Sequence, residues 1–341
     1  MKALSLTDFN FDVPSELIAQ HPITHRDQSK LLHYNTTTNR TNHHTFSDLP
    51  TIIPDHSVLV FNNTKVINAR VIAYRKSGAK IECFFLEKIK KNHWVILLKN
   101  SKKIQPNEEL TVQDHTIKVI EKNGKQANVE IIGHKSDFEF LDHIGTPPLP
   151  PYIKTTNPKQ HADQYQTIFA SEPGAVAAPT ASLHFTPSIF AQLKAKNIDI
   201  IFITLHVGFG TFSPIESNNI YDHTMHKETY FISKLAAEKL NHAKTEKKYL
   251  IAVGTTVTRC LESNIKNNTF SSGQRQTDLY ITPGHNFKSI DGMITNFHLP
   301  KSSLLILIAS FIGKDIALNL YNIAIKHRYR FFSYGDAMLI T

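Results

Sequence analysis

Long hydrophobic runs are missing from this 341-residue chain. Its most apolar stretch, LLILIASF from Leu304 to Phe311, is far too short to span a bilayer. The N-terminal MKALSLTDFNFDVP has no apolar segment before its first acids and proline, so no secretion signal is expected. Cysteine is nearly absent. Cys83 and Cys260 lie far apart inside apolar patterns, which excludes a disulfide framework and leaves buried free thiols. Negative charge is also in short supply: 29 acidic residues stand against 38 basic ones, a formal net charge of +9. A soluble cytoplasmic protein fits these absences. The basic surplus suits a polyanionic partner, nucleic acid first, although general lysine enrichment would give the same balance.

What is present is globular: 41% hydrophobic and 20% charged residues, enough for one large or two ordinary domains. From Val66 to Gly133 short period-2 runs dominate, namely VINARVIAY, KIECFFLE, HWVILLK, ELTVQ, HTIKVIE and ANVEIIG. Turn signals such as KSGAK and KNGKQ separate them, the pattern of a small antiparallel barrel. GTPPLPPYIK (Gly145 to Lys154) reads as a stiff connector. Beyond it helix and strand alternate. Helices are expected at Pro158–Phe169, Pro187–Lys196, Lys234–Lys247, Thr256–Ile265, Ser302–Ile312 and Lys314–His327. Strands are expected at IDIIFITLHV, YLIAV, TDLYI, GMITNF and YRFFS, with SVLVF before the barrel. The fold class is therefore an α/β main domain (1–65 and 151–341) with an inserted small antiparallel β-barrel domain (66–150).

Ligands of open α/β sheets sit beyond the carboxyl ends of the strands. Here SVLVF leads to NNTK, IDIIFIT to LHVGFGT, YLIAV to GTTVTR, GMIT to NFHLPKSS and YRFF to SYGDAM. One such polar cluster is an ordinary capped turn; five in the same position favour a shared pocket. EPGAVAAPTASLHFT (Glu172 to Thr186) adds a run too small to build a core, suited to backbone that a ligand approaches closely. Sharper motifs fail. VGFG follows a strand but precedes no helix, so it is no dinucleotide fingerprint. His223, His226 and Glu228 lack a zinc-site pattern, and there is no Walker loop or nucleophile elbow.

The motifs as a set resemble a known family. FDVPSELIAQHP, RDQSKLL, LVFNNTKVINAR, PLPPYI, EPGAVAAPTASLHFT, TLHVGFGTF, HTMHKE, AVGTTVTRCLES, TDLYITPG, ITNFHLPKSSL and YRFFSYGDAMLI occur in that order, from Phe11 to Ile340. Together they resemble the S-adenosylmethionine:tRNA ribosyltransferase-isomerases of queuosine biosynthesis. The resemblance implies an α/β domain with an inserted barrel. It implies transfer of the ribosyl part of S-adenosylmethionine, a cosubstrate, to 7-aminomethyl-7-deazaguanine at the tRNA wobble position. Epoxyqueuosine-tRNA would form, adenine and methionine would leave, and no metal is expected. Asn63, Lys65, Ser182 and Ser303 depart from the usual family residues, and Asn63 removes a candidate carboxylate from its loop.

Within the matching motifs, Asp336, His206 and Glu228, in that order, are candidates for the base that takes the ribose methylene proton. Gly174, Ala175, Ala178, Thr180, His184, Thr255, Thr256, Arg259, Asn296 and His298 are candidates for holding the cosubstrate. Thr255 and Thr256 open a helix, where they suit either a carboxylate or simple capping. Asn62 and Asn296 suit either a ligand or backbone at a turn. His43 and His44 match no motif and are expected to face solvent. Lys88, Lys90, Lys91, Lys99, Lys102 and Lys103 form a candidate tRNA-binding face, with solubility charge as the alternative. A monomer is expected. A non-catalytic tRNA binder and a methyltransferase are the competing function classes, separable by their products.

Overall fold

The computed structural model describes residues 4–212 and 214–341. In chain order the strands are β1 (Lys30–Asn35), β2 (Arg40–Thr45), β3 (Ser57–Asn62), β4 (Thr64–Val66), β5 (Arg70–Tyr74), β6 (Lys80–Lys90), β7 (His93–Lys99), β8 (Glu109–Val112), β9 (His115–Asn123), β10 (Gln126–Ile132), β11 (Glu172–Ala175), β12 (Asp199–Leu205), β13 (Glu228–Ile232), β14 (Tyr249–Val253), β15 (Gly273–Thr277), β16 (Gly292–Asn296) and β17 (Ala337–Ile340). The α-helices are α1 (Leu49–Ile52), α2 (Asp137–Ile144), α3 (Pro187–Ala195), α4 (Lys234–Thr245), α5 (Thr255–Asn264), α6 (Ser303–Ile312) and α7 (Lys314–Lys326).

A nine-stranded mixed sheet runs in the order β15-β13-β12-β3-β14-β16-β17-β1-β2. Its centre, β12 to β16, is parallel. β17 then runs antiparallel to β16 and parallel to β1. Alternation along β3 explains the layering. Val58 and Val60 join α4 and α5 on one face, while Leu59 and Phe61 join α1 and α3 on the other. A third cluster packs α6 and α7 with the N-terminal segment against Leu32, Met338 and Ile340. No single helix among the described residues is long and apolar enough to cross a membrane, and α6 and α7 meet at a 114° bend.

All six period-2 runs become barrel strands, closing in the order β10-β7-β6-β5-β8-β9. Cys83 is buried inside this barrel and Cys260 inside the main core. The helices expected beyond the connector form within a few residues of their expected ends, with one exception. Pro158–Phe169 is only a 3-10 turn, Pro158–His161. Arg26 takes the carbonyls of Asp163, Gln164 and Gln166, and Gln166 itself bonds both backbone groups of Val66, so a helical ladder is replaced by tertiary partners. Two expected strands also move. TDLYI contributes only Thr277 to β15, and YRFFS is irregular apart from an isolated bridge from Phe331 to Ile18, with Phe332 at a φ of 70° and the strand starting after Asp336.

The barrel depends on one buried carboxylate. Asp137, only 2% exposed, accepts from Trp94 Nε1 at 3.0 Å and Asn92 N at 3.1 Å, and pairs with Lys88 Nζ at 3.0 Å. Burial opposes its charge, but the bonds from Lys88, Asn92 and Trp94 outweigh burial and hold the carboxyl below its ordinary value. Asp137→Ala is expected to lower stability by about 1–3 kcal/mol. The check is urea unfolding followed through Trp94, the chain's single tryptophan. The wild-type advantage is full at pH 7 and disappears as pH falls through the lowered carboxyl value.

Candidate active site

A pocket opens beyond the carboxyl ends of β12, β14 and β16. β12 brings Val207, β14 leads to Gly254, Thr255 and Thr256 at the start of α5, and β16 brings Asn296 to His298. Ala177 to Ala181, from the small-residue run, make the facing wall. Six of the ten expected cosubstrate residues meet here: Ala178, Thr180, Thr255, Thr256, Asn296 and His298.

The other four lie apart from this lining. Ala175 is fully buried in the core, and Gly174 is the irregular residue where β11 pairs with β4. His184 sits behind the wall in a chain of bonds. Thr180 Oγ1 donates to Asn296 Oδ1 at 2.8 Å, which orients the amide to donate to His184 Nε2 at 3.3 Å. His184 Nδ1–H then meets Ser29 Oγ at 2.8 Å. Burial pushes His184 down to about 4, so this ring is a neutral brace for Asn296. Arg259 is buried in an ion pair with Glu228, and its Nε donates to Leu279 O at 3.0 Å.

The three expected bases separate in the same way. Asp336 is 2% exposed, and its two oxygens accept from Lys30 N at 2.9 Å and Arg330 N at 2.7 Å. It lies outside the pocket lining, because the strand begins after it and its carboxylate turns back to the backbone. Glu228 holds Arg259 and accepts from Gly208 N at 2.9 Å. His206 is also outside the pocket lining, one residue before the lining residue Val207. Its Nδ1 lies 2.8 Å from Thr64 Oγ1, whose own proton goes to Glu172 O at 3.4 Å. The ring therefore donates through Nδ1–H and keeps Nε2 as an acceptor. Burial lowers its pKa, with Glu172 acting the other way, so it is neutral at pH 7.

His298 is the third neutral imidazole, pushed down to about 3 by burial, with Nε2 2.9 Å from Thr295 Oγ1. Thr256 Oγ1 has no partner among the described residues although it is buried in the pocket wall. Asn62 serves the backbone, bonding both Leu205 N and Leu205 O to tie β3 to β12. His43 is exposed yet bonds Tyr329 OH at 2.7 Å, while His44 is half-buried beside His33. His223 packs on Tyr280, and no group of three potential metal ligands occurs among the described residues. Two contributors were missed. Tyr152, within PLPPYI, lines the pocket and bonds Ser333 Oγ at 2.6 Å. Thr64, within FNNTK, orients His206. Both sat in noticed motifs but carry no charge to mark them.

The expected lysine face divides. Lys88 is committed to Asp137, near the β6–β7 turn that carries Lys90 and Lys91. Lys99, Lys102 and Lys103 lie at the opposite end of these strands, lining a cleft with Lys80, Lys122 and Lys125. Phe209, from the loop after β12, lines the same cleft.

An α/β enzyme with a ligand pocket at its strand ends, carrying a closed barrel with a basic cleft, is the class these features define. A family model described as "Queuosine biosynthesis protein" matches residues 6–340. The S-adenosylmethionine:tRNA ribosyltransferase-isomerase of Desulfitobacterium hafniense is 43% identical over 99% of this chain and 100% of that protein. The protein of that name from Sulfurihydrogenibium is 43% identical over the same shares. A crystal structure of the Thermotoga maritima S-adenosylmethionine tRNA ribosyltransferase has 31% identity and a TM-score of 0.57, covering 98% of this chain and 100% of that one. The chain belongs to this family of tRNA-modifying ribosyltransferase-isomerases of queuosine biosynthesis.

One consequence of the geometry is testable at Gly174. Its φ is 153°, and an added Cβ would fall 2.8 Å from His206 Nδ1. Gly174→Ala is expected to displace His206 from Thr64 and lower turnover at least tenfold, with the unfolding midpoint changed by only a few degrees. Steady-state kinetics beside thermal unfolding checks this; unchanged turnover would dissociate His206 from the reaction.

Proposed function

We propose that the pocket binds S-adenosylmethionine and that its ribosyl moiety is transferred and isomerised onto 7-aminomethyl-7-deazaguanine at the wobble position of tRNA. Epoxyqueuosine-tRNA is formed, and adenine and methionine are released. The observation that carries this reading is the pocket's composition. A wall of alanines lets a flat nucleoside lie close to backbone, and the free N–H groups at the start of α5 suit the amino-acid carboxylate. The unpartnered Thr256 hydroxyl awaits a polar group there. The inserted domain, 66–150, carries the tRNA, and the reaction belongs in the cytoplasm with its substrate.

Chemically, the sulfonium acidifies the adjacent ribose methylene, so a positioned base can take that proton and leave an ylide without any metal. We assign this role to His206, ahead of Asp336 and Glu228, whose carboxylates are occupied by backbone N–H groups and Arg259. Neutral His206 holds its Nδ1 proton on Thr64 and offers Nε2. His298, also neutral, and the braced Asn296 supply hydrogen bonds in the wall.

Incubation of chelator-treated protein with S-adenosylmethionine and tRNA bearing 7-aminomethyl-7-deazaguanine should release adenine and methionine in step with modified tRNA. S-adenosylhomocysteine would instead make the protein a methyltransferase, no product would make it a binder, and turnover only with added metal would overturn the metal-free chemistry. His206→Gln should lose about 10²–10⁴ in turnover while keeping S-adenosylmethionine affinity. Because the folded pKa of His206 is lowered, turnover should hold as pH falls past 6.5 and drop only below that. A drop centred above 6.5 would exclude His206 as the base.

A further inference from the structure

Phe209 is 44% exposed and lines a cleft together with Lys99, Lys102, Lys103, Lys122 and Lys125. None of these five lysines is in an ion pair with a described residue. The Phe209 ring meets Phe84 of β6 in a T-shaped contact, centroids 5.4 Å apart, which fixes its position against the barrel. Arg70 lies over Phe84 on the same lining, 5.9 Å from its ring.

The loop that presents Phe209 is held on both sides. Val207 O accepts from Val176 N at 2.9 Å, and Gly208 N donates to the buried Glu228. At Gly210 an added Cβ would fall 2.2 Å from the His226 ring, so only glycine permits that close packing. Phe209 is thus presented by ordered backbone and loses little freedom on binding. Only Val207 and Gly208 separate it from His206, at most about 10 Å of chain. This short segment joins the nucleoside pocket, through Val207, to the basic cleft, through Phe209.

Exposed aromatics beside cations are the chemistry that recognises unpaired nucleobases, whose faces stack while their phosphates meet the lysines. We propose that Phe209 is a stacking platform for an unpaired base of the RNA substrate, one neighbouring the base that enters the pocket. This rests on the tRNA reading above and names a residue that positions the substrate.

The experiment compares Phe209→Ala and Phe209→Trp for KM of the tRNA, kcat and S-adenosylmethionine affinity. Loss of one base stack should raise the tRNA KM of Phe209→Ala about 5- to 100-fold, with S-adenosylmethionine affinity within about twofold of wild type. Phe209→Trp, which keeps a stacking face, should return KM to within about threefold of wild type. An unchanged KM in Phe209→Ala, or equal damage in the two variants, overturns the proposal. The triple variant Lys99→Ala, Lys102→Ala, Lys103→Ala tests the RNA path separately, and should flatten the salt dependence of tRNA binding by about 2 in slope, near 0.7 per single-strand contact. A flattened slope with a silent Phe209→Ala removes the stack alone. An unchanged slope removes the cleft as the RNA path, and the stack with it.

Discussion

The Asp336 carboxylate fixes where the parallel sheet ends and the site begins. Its oxygens hold Lys30 N at the start of β1 and Arg330 N ahead of β17, aligning two strands that pair in parallel from Leu31 and Ala337. β17 in turn pairs with β16, setting Ala337 beside Asn296. Asn296 reaches the carbonyl of Asp336 at 3.4 Å while it orders Thr180 and His184. Burial raises the Asp336 pKa, and the two N–H groups and the charges of Arg330 and Lys30 oppose that rise. A carboxylate in this position is committed to architecture. One side of the pocket depends on it.

The other side depends on the segment His206–Gly210. Here the small residues of the 172–186 run have two separate uses: Ala177 to Ala181 form the pocket wall, and Gly174 makes room for the His206 ring. The buried Glu228–Arg259 pair lies behind the same segment and receives the Gly208 N–H. Breaking such a pair is costly because a charge is left buried, so it maintains loop geometry more than it adds net stability. Thr64 connects this arrangement to the barrel entrance, since β4 leads from the central strand β3 toward β5. The pocket, through Val207, and the cleft, through Phe209, both adjoin His206 on this one segment.

The barrel was legible because period-2 runs and glycine-bearing turns are local signals, and all six became strands. Buried strands of the main sheet were legible from continuous apolar runs at β3, β12, β14 and β16. The first hairpin, β1–β2, was not, because HYNTTTNRTNHHT is polar at a sheet edge and carries no apolar period. The expected helix at Pro158 failed where Arg26, more than a hundred residues away, claimed its carbonyls. In the site, residue types located the pocket and not the roles. An aspartate at a strand end looked like a base, yet only the fold shows its oxygens facing two backbone N–H groups. Six lysines close in sequence proved to occupy opposite ends of antiparallel strands, a separation set by pairing register.

With Asp336 an anchor and His206 the proposed base, Asp336→Asn separates these roles most directly. An amide keeps one acceptor oxygen and turns its NH₂ toward the second buried N–H. Urea unfolding, S-adenosylmethionine affinity and turnover of this variant should all decline together, with stability lower by about 1–3 kcal/mol. If turnover falls 10²–10⁴-fold while the unfolding midpoint and S-adenosylmethionine affinity stay at wild-type values, Asp336 is the base and the account is contradicted.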